Sequence, residues 1–269
     1  MPKLDFRPTK TSFDLVNARA TARASALAYK KKEEILKTLQ SWGFANARFF
    51  SNRGTGTQGF VAGNDDMILV AFRGTESGEL KDWRTDAKIK KIPGKGGGHV
   101  HRGFKAALES VSTPMAQAVR AFRDKGQPVF VTGHSLGAAL AGLAVGASKT
   151  ERIDIAGLYT YGMPRVGNKT FASKFKDRYG KRAFRVVNNN DIVTRIPLRT
   201  MGYKHVGVVK YLNAKGQLET GEGPWKRFRN RVKGQIEGRV KDFLKPGTDG
   251  LKDHGIKKYV GILNRIRRF

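Results

Sequence analysis

The chain alternates between stretches whose apolar positions recur at helical spacing and short runs that are apolar throughout. Over residues 11–42, Phe13, Val16, Ala20, Leu27, Ile35, Leu36 and Leu39 keep helical intervals and Trp42-Gly43 closes the run, which predicts a helix. A β region follows, with a short strand at Phe49-Phe50, then residues 59–63 leading through the turn Asn64-Asp65-Asp66 into 67–72. This last run has no polar position, as in a strand covered on both faces.

Farther along, residues 93–98 (PGKGGG) predict a mobile loop, 103–123 a helix, 128–132 a second buried strand and 138–147 a helix of small residues. The alternation continues with a strand at 155–161, a helix at 168–179 and a strand at 183–188, then a strand-like run at 206–209 and a helix-like run at 256–266. Strands alternating with helices predict an α/β fold, a mostly parallel central sheet with helices on both faces. No internal repeat and no sharp break in composition divides the sequence, so one domain over 1–269 is expected.

Composition changes this picture at one point. Hydrophobic residues make up 39% of the chain, enough for a core, but 52 Lys+Arg stand against 22 Asp+Glu, for a formal charge of +30. Such a chain is drawn to polyanions, either nucleic acid or an anionic bilayer. Disulfide and thiolate chemistry are excluded, because there is no cysteine. No apolar run reaches the ~18 residues of a membrane span, and the first residues lack the apolar stretch of a secretory signal. The expectation is a protein that works where it is made, or is exported by a route without such a signal, unless a leader has been removed.

The candidate chemistry centres on Gly133-His134-Ser135-Leu136-Gly137, placed between the strand at 128–132 and the helix at 138–147. A serine on a tight strand-to-helix turn needs small neighbours for the turn to close and for its Oγ to stand clear. The helix that follows aims N–H groups and its positive dipole end at the site, making the Leu136 N–H an oxyanion donor. A serine hydroxyl also needs a positioned base oriented by a carboxylate, in chain order serine, acid, histidine. Of the five histidines, His99 and His101 precede the serine and His134 is locked beside it, leaving His205 and His254. His254 is favoured because it follows the loop Lys245-Pro246-Gly247-Thr248-Asp249-Gly250, from which it can reach the sheet edge. Asp191 is the candidate acid, on the asparagine-rich turn after the strand at 183–188, whereas Asp154 precedes its strand and lies at the wrong end of the sheet.

Several blocks occur in one order: Val70-Ala71-Phe72-Arg73-Gly74-Thr75, Lys81-Asp82-Trp83-Arg84-Thr85-Asp86, Val100-His101-Arg102-Gly103-Phe104 and the serine motif, then Tyr161-Gly162-Met163-Pro164-Arg165, Val187-Asn188-Asn189-Asn190-Asp191 and Asp253-His254. Together they resemble the class 3 lipases, a family of α/β-hydrolases that includes fungal triacylglycerol lipases. The resemblance implies the triad Ser135, Asp191 and His254, with Thr75 as second oxyanion donor beside Leu136. It also implies a lid over about 76–92, where Leu80 and Trp83 on a short amphipathic helix would face the acyl chain. The reaction implied is acyl transfer from a lipid ester through an acyl-enzyme, with no metal and no cofactor.

The family does not account for the charge. The segment 225–269 carries 14 Lys/Arg against 4 Asp/Glu, and Trp225, Phe228, Val232, Ile236, Val240 and Phe243 form a helical stripe in it. Peripheral binding to anionic membrane is one expectation, with phospholipase A1 activity as an alternative to acylglycerol hydrolysis. A catalytically silent, polyanion-binding protein on the same fold is another. Nucleic acid is the weaker partner, since there is no zinc-finger spacing, RNP-type run or clear recognition helix.

Overall fold

The computed structural model describes residues 4–75, 89–220 and 252–266. Its centre is an eight-stranded sheet with the spatial order β1 (Asn46–Asn52), β2 (Thr57–Gly63), β3 (Ile68–Phe72), β6 (Val129–His134), β7 (Ile155–Tyr161), β8 (Ala183–Asn188), β9 (Val208–Leu212) and β10 (Leu218–Thr220). The run β3-β6-β7-β8-β9 is parallel, while β1 and β2 at one edge and β10 at the other pair antiparallel. A separate hairpin pairs β4 (Lys91–Pro93) with β5 (His99–His101).

The apolar runs are continuous because the sheet faces two cores. Ile68, Val70 and Phe72 join Val129 and Val131 in one, against α3 (Arg102–Phe122), α4 (Leu136–Ala147) and α5 (Lys169–Tyr179). Leu69, Ala71 and Phe130 point the other way, into a core with α1 (Leu15–Leu27), α2 (Lys32–Ser41) and α6 (Ile256–Arg265). A strand with period-two side chains and helices on both faces leaves few positions for a polar residue.

The alanine-rich α1 is an exception to apolar packing. Its Thr21 and Ser25, four residues apart and on one face, bond Tyr161 Oη at 2.7 Å and Thr132 Oγ1 at 2.8 Å. Four residues on, the Tyr29 hydroxyl meets His134 Nδ1 at 2.8 Å. This polar seam runs up to the C-terminal ends of the parallel strands.

Three expectations need correction. The helix over 11–42 is two helices, because the chain turns after Ala28 and Lys31 is extended. The interval from Leu27 to Ile35 also suits an unbroken helix, which concealed the break. Residues 94–98 are not a loose loop but the turn of the β4–β5 hairpin, closed by Gly94 N to Gly98 O at 3.0 Å. A Cβ at Gly96 would stand 2.6 Å from the Gly146 oxygen, and one at Gly98 2.4 Å from the Phe171 nitrogen, so these glycines permit close packing. The run at 206–209 becomes a strand only from Val208, after Gly207 turns at positive φ, and β10 follows it.

Leu80, Trp83 and most of the expected lid lie outside the described residues, as does the apolar stripe 225–243; residues 91–92 of the lid range form part of β4. No helix among the described residues is long and apolar enough to cross a membrane.

Candidate active site

Ser135 stands between β6 and α4 with φ 59° and ψ −124°, a backbone strained for a residue with a side chain. The turn closes because its neighbours are glycines. A Cβ on Gly133 would lie 2.3 Å from Gly137 backbone atoms, and one on Gly137 2.3 Å from the Phe72 carbonyl oxygen. The Ser135 N–H donates to the Tyr161 carbonyl at 3.0 Å, tying the turn to the next strand. As the first residue of α4, Leu136 has an N–H with no intrahelical acceptor.

Asp191 follows β8 and is completely buried. Its carboxylate accepts from His254 Nδ1 at 2.9–3.0 Å, from the Tyr259 hydroxyl at 2.5 Å and from the Val193 N–H at 2.9 Å. A carboxylate is acceptor-only, so the His254 proton sits on Nδ1 and Nε2 is left as a base. His254 Nε2 and Ser135 Oγ are both buried and have no hydrogen-bond partner among the described residues. Bonds of this kind often tighten only when substrate arrives.

His205 has a different environment. Burial, then the charges of Arg185 and Arg165, push its ring well below the ordinary histidine range. Asp154 is exposed at the far end of the sheet and pairs with Arg182 at 3.5 Å.

Two further sets of contacts fix the His254 loop. Asp253 accepts from Asn189 Nδ2 at 3.1 Å, the Asn190 N–H at 3.2 Å and Lys258 Nζ at 2.5 Å, and its carbonyl accepts from Asn188 Nδ2 at 2.8 Å. The turn carrying Asp191 and the loop carrying His254 are thereby one bonded unit. His134 supplies the second set: its Nε2–H donates to the His254 carbonyl at 2.6 Å, its Nδ1 accepts from Tyr29, and its ring lies 4.5 Å from that of His254. Burial, followed by the charge of His254, lowers the His134 pKa to about 3, so the ring is neutral.

Gly162 closes the floor of the site. It sits at φ 59°, and a Cβ there would come within 2.7 Å of Asp191 Oδ2 and 2.8 Å of His254 Nδ1. Gly74 similarly lets Tyr29 and the His134 carbonyl approach the strand end that carries Thr75, whose Oγ1 is buried with no hydrogen-bond partner among the described residues. Tyr29, His134, Gly162, Asp253 and Tyr259 had no role assigned from sequence alone. The motif blocks contain three of them, but only contacts across 60 to 120 positions give them work.

Residues 69–201 match the family model described as Lipase (class 3). A secreted mono- and diacylglycerol lipase of Fusarium solani is 35% identical over 166 residues, 59% of this chain and 48% of the relative. A chloroplastic phospholipase A(1) of Arabidopsis thaliana is 35% identical over 152 residues, 48% of this chain and 33% of that one. The chain thus spans about half or less of the length of these relatives. Among solved structures, the mono- and diacylglycerol lipase of Aspergillus oryzae superposes with a TM-score of 0.68 at 27% identity, covering 83% of this chain and 92% of that one.

Proposed function

Because the chain belongs to the class 3 lipase family of α/β-hydrolases, we propose that it hydrolyses carboxylic esters of lipids through Ser135, His254 and Asp191. The observation that carries this reading is the strained Ser135 turn set beside a buried His254–Asp191 pair, with Ser135 Oγ and His254 Nε2 both without a hydrogen-bond partner among the described residues. In this reading Ser135 Oγ attacks the ester carbonyl as His254 Nε2 takes its proton, and Asp191 stabilises the imidazolium. The Leu136 N–H and Thr75 receive the oxyanion, each donor contributing roughly 3 kcal/mol to lowering the barrier. His254 then protonates the leaving alcohol, and water attacks the acyl-enzyme by the same route in reverse.

Acylglycerols are the first substrate class, as the names of the fungal relatives suggest, and the acyl esters of phospholipids are the second, given the phospholipase A(1) relative. Hydrolysis of short p-nitrophenyl esters, triacylglycerol and phosphatidylglycerol, each repeated with Ser135→Ala, tests both. Activity that survives in the variant rules out Ser135 as nucleophile. Tight DNA binding with no hydrolysis by the unaltered chain would favour the silent polyanion-binding protein instead.

A further inference from the structure

The charge is distributed unevenly along the strand axis. At the N-terminal edge of the parallel strands, the connections 64–67, 123–128, 148–154 and 180–182 hold six Lys/Arg against five Asp/Glu. Several of these are paired with one another or with neighbours: Lys125 with Asp65 at 2.8 Å, Arg182 with Asp154 at 3.5 Å, and Glu151 with Lys95 at 3.1 Å. With the last turns of the helices that end there, Arg120 of α3 and Lys176, Asp177 and Arg178 of α5, the edge holds nine Lys/Arg against six Asp/Glu, so most of its cations are matched by a carboxylate.

The C-terminal edge, where Ser135 and His254 lie, differs. Among the described residues, its connections and the first turns of the helices leaving it expose Lys90, Arg102, Lys169, Lys215 and Lys257. Asp191 and Asp253 are the carboxylates of these same segments, both buried and both committed to the bonds described above. The adjoining α1–α2 junction adds Lys30, Lys31 and Lys32 against Glu33 and Glu34.

We propose that this cationic C-terminal edge is a docking surface for an anionic phospholipid bilayer, which turns the edge that carries Ser135 toward the leaflet. The inference rests on the lipid-ester reading, for the following reason. A polyanion bound over this edge would cover Ser135, unless that polyanion is the surface in which the substrate resides. A protein with +30 spread evenly would adhere in any orientation. One whose far edge has most of its cations matched by carboxylates is aligned by the field, and each cation near an anionic leaflet strengthens binding roughly fivefold.

The test compares two triple charge reversals, each lowering the net charge by six and each in a Ser135→Ala background so that vesicles stay intact. One carries Lys169→Glu, Lys215→Glu and Lys257→Glu on the catalytic edge; the other carries Lys149→Glu, Lys176→Glu and Lys181→Glu on and near the opposite edge. Matching melting temperatures establish that both fold. Co-sedimentation with vesicles of phosphatidylglycerol and phosphatidylcholine in equal parts should be weakened about 100-fold or more by the first triple. The second triple should weaken it by less than a tenth as much, and pure phosphatidylcholine should bind none of the proteins. Equal losses in the two triples, or indifference to phosphatidylglycerol, would overturn the proposal. Duplex DNA binding abolished by the first triple, with vesicle binding unchanged, would overturn it in favour of nucleic acid. Binding is read without turnover, so failure of the esterase reading would appear separately, as no hydrolysis of a soluble ester by the Ser135-intact chain.

Discussion

Replacing Tyr259 by phenylalanine separates the chemistry of the site from its packing. The ring is fully buried and packs edge-on to Tyr161 with centroids 5.9 Å apart, and phenylalanine retains that contact. What is lost is the hydroxyl, which donates to Asp191 Oδ2 at 2.5 Å and accepts the Asn188 N–H at 3.0 Å. A bond to a buried carboxylate contributes about 1.5–3 kcal/mol, and a stranded buried N–H costs about 1–3 kcal/mol. Since the two overlap, a net loss of about 3 kcal/mol is expected, lowering the melting temperature by roughly 6–10 °C. The catalytic effect is distinct. With one donor fewer, Asp191 and through it His254 are less firmly held, and kcat on a soluble p-nitrophenyl ester should fall about tenfold with KM unchanged. Steady-state kinetics alongside a thermal melt check both. A lowered melting temperature with unchanged kcat would refute the reasoning and leave Tyr259 a packing residue.

Gly162→Ala should cost at least about 100-fold in kcat, because its Cβ would displace the Asp191–His254 pair, which it would otherwise approach to 2.7–2.8 Å. Gly56→Ala is the control: it has the same sign of φ but open space around it, so a loss of about 1 kcal/mol in a denaturant titration with intact turnover is expected. Stability should fall on acidification. Burial lowers His134 to about 3 and His101 to about 4, both below the ordinary 6.5, so the unfolded chain takes up these protons first. Their contribution is complete above pH ~6.5 and is lost toward pH 4 and then 3. Urea titrations should show a drop of about 4 kcal/mol between pH 7 and 5 from these two rings, to which His205, also held well below 6.5, adds with the same sign, whereas a flat profile would contradict the buried, neutral state of these rings.

Much of the fold could be read from sequence because its signals are local. The strands at 155–161 and 183–188 begin and end where their apolar runs do, and the serine motif is marked by the strand before it and the helix after it. What escaped depends on contacts distant in sequence. The break near Lys31 accompanies the approach of Tyr29 to His134, 105 positions away. Glycines 94–98 suggested mobility, since a glycine needed for close packing looks the same in sequence as one in a loose loop. Asp253 is named only as part of a motif block and Tyr259 carries no sequence signal, and both take on a role only where the Asn188–Asp191 turn folds against them.

The central claim is that Ser135 is a nucleophile activated by His254. The direct measurement is reaction with a p-nitrophenyl alkylphosphonate, an ester mimic that traps an activated serine, followed by peptide mass spectrometry. One phosphonyl group per chain is expected, located on Ser135, absent in Ser135→Ala and formed at least about 1,000-fold more slowly in His254→Ala. A folded chain that takes up no phosphonate, or carries it on another residue while still hydrolysing esters, would contradict the account.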